Sequence, residues 1–203
     1  MAAKPGIPRA VPSLARGWVG KLGFHQAWQI ALAVFLAATA AFGGLDTVDN
    51  KVTPVKAGEP FDDGEFNVTI ERASAVDEIR AATLKEAAVP GQRYLGVVAT
   101  LRNNGTIPAS LEDEIDLRDH PDAEYVQTYR YADGSVITTL QPGLTEQLVY
   151  VWQLPQSQLQ PGTLVTIRLW RKQFREFTTS YGRGWVDSIT EYGEIELPVK
   201  VVQ

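Results

Sequence analysis

Apolar and polar residues follow two different regimes along this chain. From Ala27 to Leu45 the apolar residues run on without alternation, and no charged side chain stands between Lys21 and Asp46. As a helix this run would span roughly 28 Å at about 1.5 Å per residue, close to the hydrocarbon thickness of a bilayer. Beyond Pro60 the pattern changes to a period of two. Phe66, Val68 and Ile70 alternate with Asn67, Thr69 and Glu71; Leu95, Val97, Ala99 and Leu101 alternate with Tyr94, Val98 and Thr100. Leu148, Tyr150 and Trp152 share one phase, as do Val165, Ile167 and Leu169, and then Ile195, Leu197, Val199 and Val201. Each reads as a strand with one face turned to a core.

Turn signals separate these strands at Gly91, Asn104-Gly105, Asp133-Gly134, Pro142-Gly143 and Pro161-Gly162. Asn104-Gly105 is expected to supply positive φ in a tight turn, with Asn103 or Asn104 satisfying the turn amides. Pro198 has no amide hydrogen and falls on the wet face of the last strand, which predicts an edge or a bulge there. One stretch, "VDEIRAATLKEAA", has Asp77 placed to cap and Ala81, Leu84 and Ala88 at helical spacing, so a short loop helix is expected. Strands joined by turns, with little helix between them, predict an all-β antiparallel sandwich.

Charge orients the chain. Lys4, Arg9, Arg16 and Lys21 precede the apolar run without a single acid, whereas all 24 acids and the other 15 bases follow it. The positive-inside bias therefore places the N-terminus in the cytoplasm and the acidic body outside, which disfavours nucleic acid as a partner. Four segments are expected: 1–21, a basic cytoplasmic tail; 22–45, a transmembrane helix acting as signal anchor; 46–60, a linker; and 61–203, the extracytoplasmic sandwich. Ala38-Thr39-Ala40 also fits a signal-cleavage site, which would release the body as a secreted protein. The long Pro-containing tail before the run, and its continuation to Leu45, favour retention.

The absence of cysteine removes disulfides, thiolate chemistry, Cys-ligated zinc and a lipidated N-terminal Cys. A domain near 150 residues buries about 68–70% of its unfolded surface, so a core without disulfides is feasible.

"YLGVVATLRNNGTIPASL", followed by "LQPGLTEQLVYVWQLP", resembles the exported immunoglobulin-like domains of unknown function found in bacterial lipoproteins and single-span membrane proteins, especially those of actinobacteria. The resemblance covers roughly residues 61 to 201 and implies an immunoglobulin-like sandwich. Its motifs are structural, so it implies no catalytic or ligand residues. The chain departs from the lipoprotein members in lacking the anchoring Cys, so attachment falls to the helix.

Candidate chemistry is sparse. His25 and His120 are the two histidines, and no G-x-S-x-G elbow accompanies His120. The acidic clusters Asp62-Asp63-Gly64-Glu65 and Glu112 to Glu124 lack the glycine and terminal Glu of a helix-loop-helix calcium site, which leaves a weak calcium site or a solvated face. Paired carboxyls would need a sugar-sized cleft to act on glycosides. The remaining patch is "RLWRKQFREF", where Trp170, Arg171, Lys172 and Arg175 are the candidate binding residues. Arginine beside exposed aromatics suits an anionic glycan, a lipid headgroup or a partner protein, whereas packed aromatics with solvated bases would be structural. The sequence thus predicts a non-catalytic interaction or accessory module of the bacterial cell envelope that needs no cofactor. Its expected partners are the membrane and an envelope or transporter protein; an anionic envelope polymer or glycan is the alternative ligand.

Overall fold

The computed structural model describes Trp28, Gln29, residues 31–35 and 37, and residues 49–81, 84–177 and 182–202. The chain divides into two compact units, Met1–Val48 and Asp49–Gln203. In the first unit the described residues are helical and exposed. The rest of the expected transmembrane helix and the whole basic tail lie outside the described residues. Among those described, no helix is long and apolar enough to cross a membrane.

The second unit is all-β. Its strands are β1 (Lys51–Pro54), β2 (Pro60–Asp62), β3 (Phe66–Val76), β4 (Glu78–Ala81), β5 (Leu84–Ala87), β6 (Gln92–Asn103), β7 (Ala109–Ser110), β8 (Asp116–Leu117), β9 (Glu124–Arg130), β10 (Thr139–Leu140), β11 (Thr145–Pro155), β12 (Leu164–Glu176) and β13 (Arg183–Val201). Seven follow one another in the order β8-β12-β13-β3-β6-β11-β9, with β1 added to β13 and β2 to β3. Two small pairs, β10-β7 and β4-β5, stand apart.

The period-two residues read from the sequence form the core. Leu95, Val97, Ala99 and Leu101 of β6, Leu148, Tyr150 and Trp152 of β11, and Val165, Ile167 and Leu169 of β12 join Ile195, Leu197 and Val199 of β13 in one buried cluster. Both wings of the sheet supply that cluster, so the sheet curls around it as a sandwich.

Strand β13 makes the curl. Its central part pairs antiparallel with β12 as far as Leu164↔Pro198, and its end pairs parallel with β3 from Val199↔Ala73 to Val201↔Ala75. Pro198 stands where the strand changes partner, a position that tolerates the missing amide hydrogen. The pairing is therefore not wholly antiparallel, since β1 also runs parallel to β13. Strand β1 lies within the stretch expected to be a linker, and Val55 N continues its contact by donating to Glu194 O at 2.9 Å.

Two local expectations are corrected. The stretch expected to be a loop helix forms the β4–β5 hairpin, with Glu78↔Ala87 and Arg80↔Lys85 in register. Burial of Ile79 against Tyr94, Tyr129 and Val151 outweighs the weak helical spacing of the alanines, and Asp77 pairs with Arg93 at 2.6 Å instead of capping. At the β6 turn it is Asn103 that organises the chain, and Gly105 does not adopt positive φ. Fully buried Asn103 donates from Nδ2 to Ile107 O (3.0 Å) and Leu140 O (2.8 Å) and accepts from Gly105 N (2.7 Å). It thus ties the β6–β7 loop to the end of β10.

Candidate functional site

Strands β12 and β13 continue past the core as a two-stranded ribbon, paired from Lys172↔Asp187 to Glu176↔Arg183. At the base of the ribbon the register shifts between Trp170 and Lys172. Arg171 alone on β12 faces four residues, Ser188 to Glu191, on β13, so the surplus lies on β13, where Ser188 Oγ accepts from Glu191 N at 3.0 Å. The bulge reverses the alternation, so Lys172, which would otherwise share the outward phase of Arg168 and Trp170, turns inward.

Lys172 meets three carboxyls there. Its Nζ donates to Glu65 Oε2 at 3.2 Å and to Glu114 Oε2, and Asp63 lies within the same electrostatic cluster. The side chains are enclosed: Lys172 is 12% exposed and Glu114 1%. Each carboxyl arrives by a defined local device. Asp63 Oδ1 accepts from Glu65 N and Phe66 N, both at 2.7 Å, which closes the β2–β3 turn. Gly64 in that turn has φ +113°, and a Cβ there would stand 2.5 Å from the Lys172 carbonyl oxygen. Asp113 takes φ +63°, an uncommon conformation for a residue with a side chain, and delivers Glu114 to the interior.

Burial holds the Asp63 carboxyl above its usual range and Glu114 well above it; the Asp63 charge adds to the Glu114 effect. Burial also raises Glu65. Burial opposes the Lys172 charge, but Glu114, Asp63 and Glu65 together outweigh it and raise the ammonium pKa. The Asp63 and Glu114 carboxyls also influence each other's proton affinity, with burial the larger cause for both. Asp63 Oδ2, Glu114 Oε1 and the Tyr150 hydroxyl are buried without a hydrogen-bond partner. The positive charge on which these acids converge is the ammonium of Lys172. Among the described residues no group of three His, Asp or Glu is arranged to hold a metal ion.

The structure therefore separates the four candidate residues. Lys172 is inside. Trp170 lies edge-on to Tyr192 at 5.0 Å, carries the Arg168 guanidinium at 4.6 Å, and lines a hollow of about 320 Å³ with His120, Asp116 and Asp187. Arg171 lies over Phe61 at 5.1 Å and donates to Asp62 O at 3.2 Å. Arg175 donates to Gln173 Oε1 at 2.6 Å, a neutral acceptor on its own strand. Around Arg175 the ribbon exposes Phe174 (51%) and Phe177 (38%); Ile189 of the bulge is 82% exposed. Phe174 also packs edge-on to Trp185 at 5.3 Å. His120 stays on the surface, its Nδ1 3.0 Å from Gln158 Oε1.

No family model matches the chain, and no curated protein does. Solved structures provide distant likenesses. An uncharacterized β-sandwich protein from Clostridium difficile aligns at 13% identity over 74% of this chain and 97% of its own, with a TM-score of 0.49. The yjhA protein from Bacillus subtilis aligns at 20% identity over 72% and 99%, with a TM-score of 0.38. A putative lipoprotein, ycdA, from the same species aligns at 11% over 71% of this chain and 39% of its own, with a TM-score of 0.35.

Sequence reasoning missed the Lys172 cluster because a bulge is invisible to alternation. A signal was present, however. Asp62-Asp63-Gly64-Glu65 sets acids around a turn glycine immediately before an apolar strand, a placement that puts carboxyls at the rim of a core.

Proposed function

We propose that this chain is a membrane-anchored, extracytoplasmic interaction module of the bacterial cell envelope, with an immunoglobulin-like body and no catalytic role. It would engage an envelope or transporter protein through the projecting part of the β12–β13 ribbon. The observation that carries this reading is the contrast between the two ends of the ribbon. Its base is fixed by the buried Lys172–Glu65–Glu114 cluster, while farther out Phe174 and Phe177 stand in water beside Arg175. Aromatic and arginine side chains on a rigid support lose little freedom on binding and are frequent anchors of protein interfaces. The apolar run from Ala27 to Leu45 and the bases before it support the anchored orientation.

A second reading is favoured by one observation. The only side-chain hydrogen bonds that Arg175 donates among the described residues go to the neutral Gln173, so its charge is available to an anionic envelope polymer or glycan.

Copurification of the full-length chain from crosslinked native membranes distinguishes the two. The protein-partner reading predicts a discrete protein that is lost from the double variant Phe174→Ala, Arg175→Ala. Recovery of bulk lipid alone, with polymer binding by the isolated second unit, would overturn it in favour of the second.

A further inference from the structure

The outer face of the β3–β6–β11–β9 wing holds a cleft of about 980 Å³, lined by none of the ribbon residues 172–187. Its floor is apolar where the exposed face of a sandwich is ordinarily polar: Tyr94, Val98, Val149, Val151 and Tyr129 line it. The β4–β5 hairpin bounds it on one side through Ile79, and the turn from Tyr131 to Gly134 on another.

Gly96 lies in the middle of β6, opposite Ser74 and Val151, and forms part of the floor. Glycine weakens a strand interior, and in sheets it often marks a bulge, a bend or the close approach of a ligand. Neither ladder shifts register at Gly96, and its φ is not positive. A Cβ there would meet only Val149 Cγ1 at 3.4 Å and Ser74 O at 3.8 Å, which is ordinary contact. The fold does not require this glycine; what it provides is depth in the cleft.

Charge around the rim selects the occupant. Arg72 faces Glu71 at 3.5 Å, Arg80 faces Glu78 at 2.5 Å, Arg130 faces Glu146 at 3.7 Å, and Asp77 faces Arg93 at 2.6 Å. Arg72 also lies over Tyr131 at 5.2 Å. The lining carries three bases, Arg72, Arg80 and Arg130, and three acids, Asp77, Glu78 and Asp133, so the cleft holds no net charge to draw an ion. Its volume falls at the upper end of the range of small-molecule sites, about 300–1,000 Å³, which are mostly apolar with a few polar groups.

We propose that this cleft binds an uncharged small molecule with an apolar body, such as a long-chain alcohol or a comparable neutral lipid fragment, lying across Gly96. The site is independent of the ribbon and of the function proposed above.

The test is photolabelling of the full-length chain in detergent with an uncharged diazirine-bearing long-chain alcohol, followed by peptide mapping. Label is expected on the peptides holding Tyr94, Val98, Val149 and Tyr129, with at least a tenfold loss when 1-dodecanol competes. Gly96→Val should reduce that labelling to a similar degree while labelling elsewhere on the chain is unchanged. The same variant should melt at or above the wild-type temperature, because valine suits a strand better than glycine. Gly96→Ala, the smaller change, should show a partial loss and keeps the test decisive if the valine variant folds poorly. Equal labelling of wild type and both variants would overturn the proposal. So would crosslinking of two copies through these peptides, which would make the occupant a second chain.

Discussion

Lys172 shows how one residue can belong to the core and to a surface patch at once. In the sequence it is one base among Arg171, Arg175 and their aromatic neighbours; in the fold it neutralises carboxyls that cannot reach water. Removing one partner from a buried ion pair leaves the other charge uncompensated, which costs about 3–5 kcal/mol. Lys172→Met is therefore expected to lower unfolding stability in urea by about that amount. The carboxyls give a pH signature as well. Glu114 and Asp63 have raised values in the folded protein, so the folded state keeps protons that the unfolded chain has lost. Their contribution is full below the ordinary carboxyl values of 4.5 and 3.8 and is lost as pH rises through the folded values. Lys172, raised from 10.5, contributes stability that is full below that value and is lost only above it. The melting temperature is thus expected to fall as pH rises above the ordinary carboxyl value of 4.5, and Glu114→Gln, which stays neutral and can still donate, should flatten that fall. An unchanged slope in this variant would place the titrating group elsewhere.

Among the elements, the strands were legible because a half-buried strand must alternate, and that constraint is written directly into the chain. Phe66 to Ile70, Leu95 to Leu101 and Leu148 to Trp152 all face inward as their phases require. Two elements were not legible, for different reasons. Around Ile79 the alanines carried a helical period, but the segment is decided by a long-range contact with Tyr94 and Tyr129 that no local window contains. At Arg171 an irregularity in the β12–β13 pairing reversed the phase of β12, so the candidate site was read as one patch where the fold divides it between interior and surface. Gly64 links these scales, since the β2–β3 turn can approach β12 only without a side chain. Gly64→Ala is expected to destabilise the domain by at least about 1–3 kcal/mol, from strain at positive φ and contact with the Lys172 backbone. Thermal unfolding measures the loss, and displaced Lys172 resonances would locate its cause.

For the whole molecule, the two units divide the account. The second unit has a closed core, a buried ionic cluster, an apolar cleft on one wing and a projecting ribbon. The all-β class was legible in the sequence, whereas the parallel partners of β13 and the curl they produce were not, because strand order is set by contacts between distant segments. The proposed anchor depends on hydropathy and charge asymmetry, which the sequence carries by itself. The central proposal joins these parts: an exported body that binds a protein through its ribbon. A photoreactive residue placed at position 174 of the full-length chain in living cells tests it most directly. One discrete protein adduct, absent when the same residue is placed at exposed Val89, is the predicted result. Adducts of equal yield at both positions, or none at position 174 in cells where the chain is membrane-bound and folded, would contradict it.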